Sequence, residues 1–156
     1  MTNIPSGPQW ATSQCDVLIV EDDVVQAEEM AAFLARAGLS VQIAHNGVTA
    51  LPLAQQLQPR VALLDYNLPD LNGVELATAI RGLLPDTAII MMSGRIEGLA
   101  ELTLEKIGIS VFVNKPVPLG PLRQAVQRLV KSGRPVRRPG TGSGGWFAGG
   151  VGSQRA

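Results

Sequence analysis

The chain has 156 residues, 46% apolar but only 4% aromatic, which suits one domain whose core rests on Val, Leu, Ile and Ala and excludes two domains with separate cores. All 13 acids fall between Asp16 and Glu105, so residues 16–131 carry nine basic residues against 13 acids, a net of −4, the wrong sign for non-specific nucleic-acid binding. The single Cys15 forms no internal disulfide, MTNIPSGPQWATSQ lacks a signal-peptide pattern, and no apolar run is long enough for a bilayer, so a cytoplasmic protein without a membrane partner is expected.

In chain order, residues 1–14 are uncharged, hold Pro5 and Pro8, and read as a flexible leader. A first strand is expected over Asp16 to Val20 and a helix from about Val24 to Ala37. Its Ala27, Met30, Ala31 and Leu34 recur at helical spacing, and Gly38 closes it. Strand two is Val41 to Ala44. Asn46 can cap a second helix running to about Leu57, although Pro52 should kink it or delay its start. Strand three, Val61 to Leu64, opens the stretch VALLDYNLPD, an apolar run that ends on an acid. Taken alone, Asp65 there reads as the start of a turn. A third helix spans Gly73 to Leu84, a fourth strand Ala88 to Met92, a fourth helix about Leu99 to Lys106, and a fifth strand Ser110 to Val113. A last helix runs from near Pro121 to Val130. Residues 132–156, SGRPVRRPGTGSGGWFAGGVGSQRA, have no periodic apolar face and read as a disordered tail, with Trp146 and Phe147 its candidates for a docking contact.

Strands alternating with helices predict a doubly wound α/β domain, a five-stranded parallel sheet with helices on both faces. Such sheets bind ligands beyond the carboxyl ends of their strands. Strand one ends in Glu21, Asp22 and Asp23, strand three in Asp65, strand four in Ser93 and Gly94, strand five in Asn114, Lys115 and Pro116. Gathered carboxylates repel unless a cation sits among them, and Mg²⁺ (or Mn²⁺) needs only a few oxygen ligands because it keeps waters. Asp22, Asp65 and the main-chain carbonyl of Asn67 could supply three. Glu21 would hold a metal-bound water or pair with Lys115. An aspartate beside such an ion and a lysine can attack phosphorus, with Lys115 and the Ser93 hydroxyl neutralising the phosphoryl oxygens.

With VLIVEDD, LLDYNLPDLNG, IIMMSG and VFVNKP in order over residues 16–131, the chain resembles the receiver domains of two-component response regulators. The resemblance implies the flavodoxin-like strand order 2-1-3-4-5 over a domain of residues 15–131. It implies Asp65 as phosphoacceptor and Glu21 with Asp22 as the acidic pair, Asp22 the direct Mg²⁺ ligand. It further implies Lys115 as the family's lysine before a commonly cis proline, and Ser93 and Phe112 as switch residues, Phe112 turning inward as Ser93 moves to the phosphate. Asn67 and Arg95 occupy positions that tune phosphoryl lifetime. The partners implied are a sensor histidine kinase or histidine phosphotransfer protein upstream. A protein target would be met downstream through helix four, strand five and helix five, and homodimers remain open. No output domain follows Val130, so a single-domain regulator without specific DNA binding, itself not an enzyme, is expected. Two alternatives stand beside it. A phosphate-independent receiver-like scaffold is one. An aspartate-nucleophile phosphatase is the other, and it would want a second acid where Asn67 stands.

Overall fold

The computed structural model describes residues 15–94 and 106–132. The expected leader, the tail with Trp146 and Phe147, Arg95 and nearly all of the expected fourth helix lie outside the described residues. Five strands, β1 (Val17–Val20), β2 (Val41–Ala44), β3 (Val61–Asp65), β4 (Ala88–Ser93) and β5 (Val111–Asn114), form one sheet in the order β2-β1-β3-β4-β5. Every pairing is parallel. Helices α1 (Val24–Arg36), α2 (Gly47–Leu57), α3 (Gly73–Leu83) and a final helix (Leu119–Ser132) complete the described elements. This is the doubly wound arrangement, with its switch point between β1 and β3.

The pleat of the sheet builds two cores. Leu18, Val20, Ala62, Leu64, Ile89, Met91 and Phe112 point to the face covered by α2 and α3. Val17, Ile19, Val61, Leu63, Ile90, Met92 and Val113 point to the face covered by α1 and the final helix. Both faces of β1, β3 and β4 are buried, which is why these strands read as unbroken apolar runs. Across the second face Arg123 of the final helix lies 5.1 Å over the ring of Phe33 of α1.

Element boundaries move by a residue or two from expectation, for local reasons. β3 and β4 run one residue further, so that Asp65 and Ser93 themselves belong to the ladder. β5 begins at Val111 and ends at Asn114, one step later than expected. α1 ends at Arg36, and Gly38 follows in the left-handed region at φ +90°, which a residue with a Cβ resists. Pro52 neither delays nor divides α2. The Asn46 side chain accepts from the Thr49 N–H, and the helix starts at Gly47. Pro121 is the third residue of the final helix, where no intrahelical partner is lost; the Pro118 carbonyl accepts the first bond, from Leu122.

Candidate functional site

Register brings the strand ends together. Val20 pairs with Leu64, Asp65 with Met92, and Ser93 with Asn114, so Glu21, Asp65, Ser93 and Lys115 meet at one edge. Main-chain bonds lock the exits: the Glu21 N–H donates to Ala44 (3.1 Å), Tyr66 to Met92 (2.8 Å) and Lys115 to Ser93 (2.9 Å). Alternation sorts the side chains by face. Glu21, Asp65 and Lys115 continue the parity of Ile19, Leu63 and Val113, and so fall on the α1 side. Ser93 shares the parity of Met91 and lies with Phe112 on the α3 side.

The charged trio is correspondingly close. Lys115 Nζ lies 2.9 Å from Glu21 Oε1 and 3.3 Å from Asp65 Oδ1. Pairing with Lys115, one of the roles expected for Glu21, is present. Glu21 and Asp65 are 1% and 3% exposed, whereas Asp22 is exposed. One carboxylate oxygen from each of the three lies within 4.8 Å of the others. The Asn67 N–H donates to Asp65 Oδ1 at 3.2 Å, and the Asn67 side chain is exposed. The Asp23 N–H donates to Glu21 Oε2, and the Asp23 carboxylate caps α1 by accepting from Gln26.

Burial pushes the Asp65 carboxyl up to about 6, and the Glu21 charge adds to this, while Lys115 and the Asn67 N–H act in the opposite direction. For Lys115 burial alone would lower the pKa. The hydrogen bond to Glu21 and the charge of Asp65 outweigh it, and the ammonium is held above its ordinary value. Two carboxylates flank the one ammonium and the third, Asp22, lies beside them, an excess of negative charge in which every carboxylate offers hard oxygen donors. That chemistry suits a small divalent cation.

Ser93 is fully buried, and Phe112 is 4% exposed within the core. The Phe112 ring lies inward in this structure. The Lys115–Pro116 peptide is cis. Gly73 is required where it stands: a Cβ would lie 2.7 Å from both the Asp65 carbonyl oxygen and Tyr66 Cα, and 2.8 Å from Met91 Sδ. At Gly94, among the described residues, a Cβ would meet only Lys115 Cβ, at 3.9 Å.

The residue patterns alone miss two contacts. His45 Nδ1 lies 2.9 Å from the Glu21 carbonyl oxygen. The Asp70 carboxylate accepts from the Gly47 and Val48 N–H groups, and the Gly47 bond in particular holds it below the usual carboxylate range. The only sequence signal for the latter is an acid in the turn after Asp65.

An open five-stranded parallel sheet in the order β2-β1-β3-β4-β5 with helices on both faces places the chain in the flavodoxin-like class of doubly wound α/β folds. Residues 17–127 match the model of the response regulator receiver domain, and the chain belongs to that family. It is 29% identical over 119 residues to the response regulator MprA of Mycobacterium tuberculosis, across 76% of this chain and 52% of that protein. To the transcription factor SKN7 of Saccharomyces cerevisiae it is 28% identical over 120 residues, across 77% of this chain and 19% of the other. The chain thus spans about half of one relative and a fifth of the other. A CheY-like receiver domain protein of Methanospirillum hungatei superposes with a TM-score of 0.72 at 25% identity, covering 76% of this chain and 95% of that one. No described helix is long and apolar enough to cross a membrane.

Proposed function

We infer that this receiver domain accepts a phosphoryl group on Asp65 from a phosphohistidine of a sensor histidine kinase or histidine phosphotransfer protein. The observation that carries this reading is Lys115 Nζ, 2.9 Å from Glu21 and 3.3 Å from Asp65, inside a cluster of three carboxylates. Asp22, Asp65 and the Asn67 carbonyl would hold Mg²⁺ or Mn²⁺, with Glu21 behind them. When bound, the ion supplies positive charge to the carboxylates and to the phosphoryl oxygens.

In the transfer an Asp65 oxygen forms a bond to phosphorus as the phosphorus–nitrogen bond of the donor breaks. The electron pair stays on the imidazole nitrogen, which takes up a proton. Lys115 stabilises the charge on the phosphoryl group, and the Ser93 hydroxyl donates to one of its oxygens. The chain acts as a phosphoacceptor that assists its own phosphorylation and dephosphorylation rather than as an enzyme on a separate substrate. Side chains at Asn67 and Arg95 set how readily water reaches the product.

The added charge favours a state in which Ser93 and Lys115 close on the phosphate. Phe112 shares the face of Ser93 and follows it, so that β5 and the helices beside it present a changed surface to a protein partner. The phosphatase alternative finds no support in the residue two after Asp65, which is Asn67.

Incubation with a phosphorylated kinase and Mg²⁺ is expected to give a base- and hydroxylamine-labile adduct on wild type and none on Asp65→Asn. Equal labelling of the two proteins would overturn the assignment. A phosphotransfer time course then separates onward relay to a histidine protein from direct action by a stable aspartyl phosphate.

A further inference from the structure

Residues 45–48, which run from the link after β2 into the first turn of α2, are tied to both acid-bearing loops. On one side, His45 Nδ1 is 2.9 Å from the Glu21 carbonyl oxygen; a carbonyl only accepts, so Nδ1 carries the proton. On the other side, the Asp70 carboxylate accepts from the Gly47 N–H at 2.9 Å and the Val48 N–H at 2.8 Å, one oxygen for each. Gly47 sits so close beneath Leu71 that a Cβ would stand 2.7 Å from Leu71 Cγ.

The first turn of α2 has donors that no helix can satisfy internally. Asn46 takes the Thr49 N–H; the two before it are taken by the loop that leaves the phosphoacceptor. That loop is closed on itself by the Gly73 N–H to Tyr66 bond at 2.6 Å and by the Asn67–Asn72 bridge, so Asp70 attaches α2 to a rigid body. The Glu21 N–H is bonded to Ala44, the residue before His45, so His45 closes a second attachment at the same strand end.

We propose that the segment of residues 45–48 is a strut fixing the loop of Glu21 and Asp22 against the loop of Asp65 and Asn67, with Asp70 and His45 as its positioning residues, and that it thereby sets the affinity of the cluster for a divalent cation. The affinity part rests on the reading of the cluster as a Mg²⁺ site. The mechanical part does not.

The test uses the full chain. In metal-free hydrogen–deuterium exchange, Asp70→Ala and His45→Ala should each speed exchange of amides in residues 21–23 and 66–72 and leave β4 unchanged. Asp70→Asn keeps one acceptor oxygen, and His45→Asn keeps a donor near Nδ1, so both should fall between wild type and alanine. Calorimetric titration with MgCl₂ should show the dissociation constant raised about three- to tenfold by each alanine variant, at the low end of what lost outer contacts do to metal sites. If Asp70→Ala lowers the melting temperature but leaves exchange at residues 21–23 and the Mg²⁺ affinity as in wild type, Asp70 is an ordinary helix cap and the strut is overturned. If wild type shows no binding heat with millimolar MgCl₂, the metal-site reading falls, and the exchange pattern alone upholds or overturns the strut.

Discussion

Asp65 sits almost dry at 3% exposure, beside the charge of Glu21. Its carboxyl is raised to about 6 from an ordinary value of 3.8, so between those values the folded state binds more protons than the unfolded one. Stability of the metal-free protein therefore falls as pH climbs through that window, by about 3 kcal/mol in full. The raised Lys115 adds no slope there, since its contribution is lost only in the alkaline range above its ordinary 10.5. Asp65→Asn should flatten the profile and stabilise the metal-free protein at neutral pH by about 1–3 kcal/mol, as measured by urea denaturation in chelator at several pH values. Two glycines make a sharper contrast. Gly73→Ala forces a methyl against the Asp65–Tyr66 backbone and Met91 Sδ and should cost about 1–3 kcal/mol while disturbing the Asp65 loop. Among the described residues Gly94→Ala meets only ordinary van der Waals contact and should stay within about 0.5 kcal/mol of wild type. Thermal melts of the two variants check both. At this scale the acids, Ser93 and Lys115 were legible because each terminates an apolar run. Asp70 was not, because its partners lie 22 and 23 positions away and an exposed acid in a turn looks the same with or without them.

Among the elements, α2 is the one that carries a conflict between sequence and structure. Pro52 stands inside it, exposed, and lacks the N–H that would bond back one turn. The helix persists because Asn46 and Asp70 hold its start and because Ala50 and Ala54 are fully buried; tertiary contact overrides the local penalty. Pro52→Ala restores the bond at a solvated position. That gain, of the order of 3 kcal/mol, exceeds the entropy of ~0.4–1 kcal/mol that proline removes from the unfolded chain. A net stabilisation of about 2–2.6 kcal/mol is expected in chemical denaturation, and an unchanged midpoint would show that α2 bends around the proline without loss. The strands needed no such arbitration. Period and composition agree in β1, β3 and β4, so their presence could be read directly, while their last residues could not: ladder bonds, not hydropathy, carry β3 to Asp65 and β4 to Ser93.

For the whole molecule the acidic edge is both a burden and a control point. Any cation that binds the native cluster stabilises the fold by mass action, about 2.7 kcal/mol at a hundredfold excess over its dissociation constant. Asp22 is exposed and Glu21 buried, which separates binding from folding. Asp22→Ala should leave the metal-free melting temperature near wild type and abolish most of the rise caused by Mg²⁺, as read by scanning calorimetry with and without the ion. The parallel sheet and the gathering of four strand ends followed from alternation of elements, and the strand order from the family resemblance; which acid would be wet and which dry did not, because that depends on the Lys115 side chain reaching back past β4 and β3 to Glu21. The parity of the sheet has a further consequence for how this chain tolerates change. Glu21, Asp65 and Lys115 reach the shared edge from one side of the pleat and Ser93 with Phe112 from the other, a division set by counting alone. One residue inserted into β3 would rotate Asp65 away from Lys115 with every apolar side chain in step behind it. The domain can thus drift widely in which aliphatic residue fills each strand position, yet it is intolerant of any odd change in strand length, and its alternation acts as a reading frame in three dimensions.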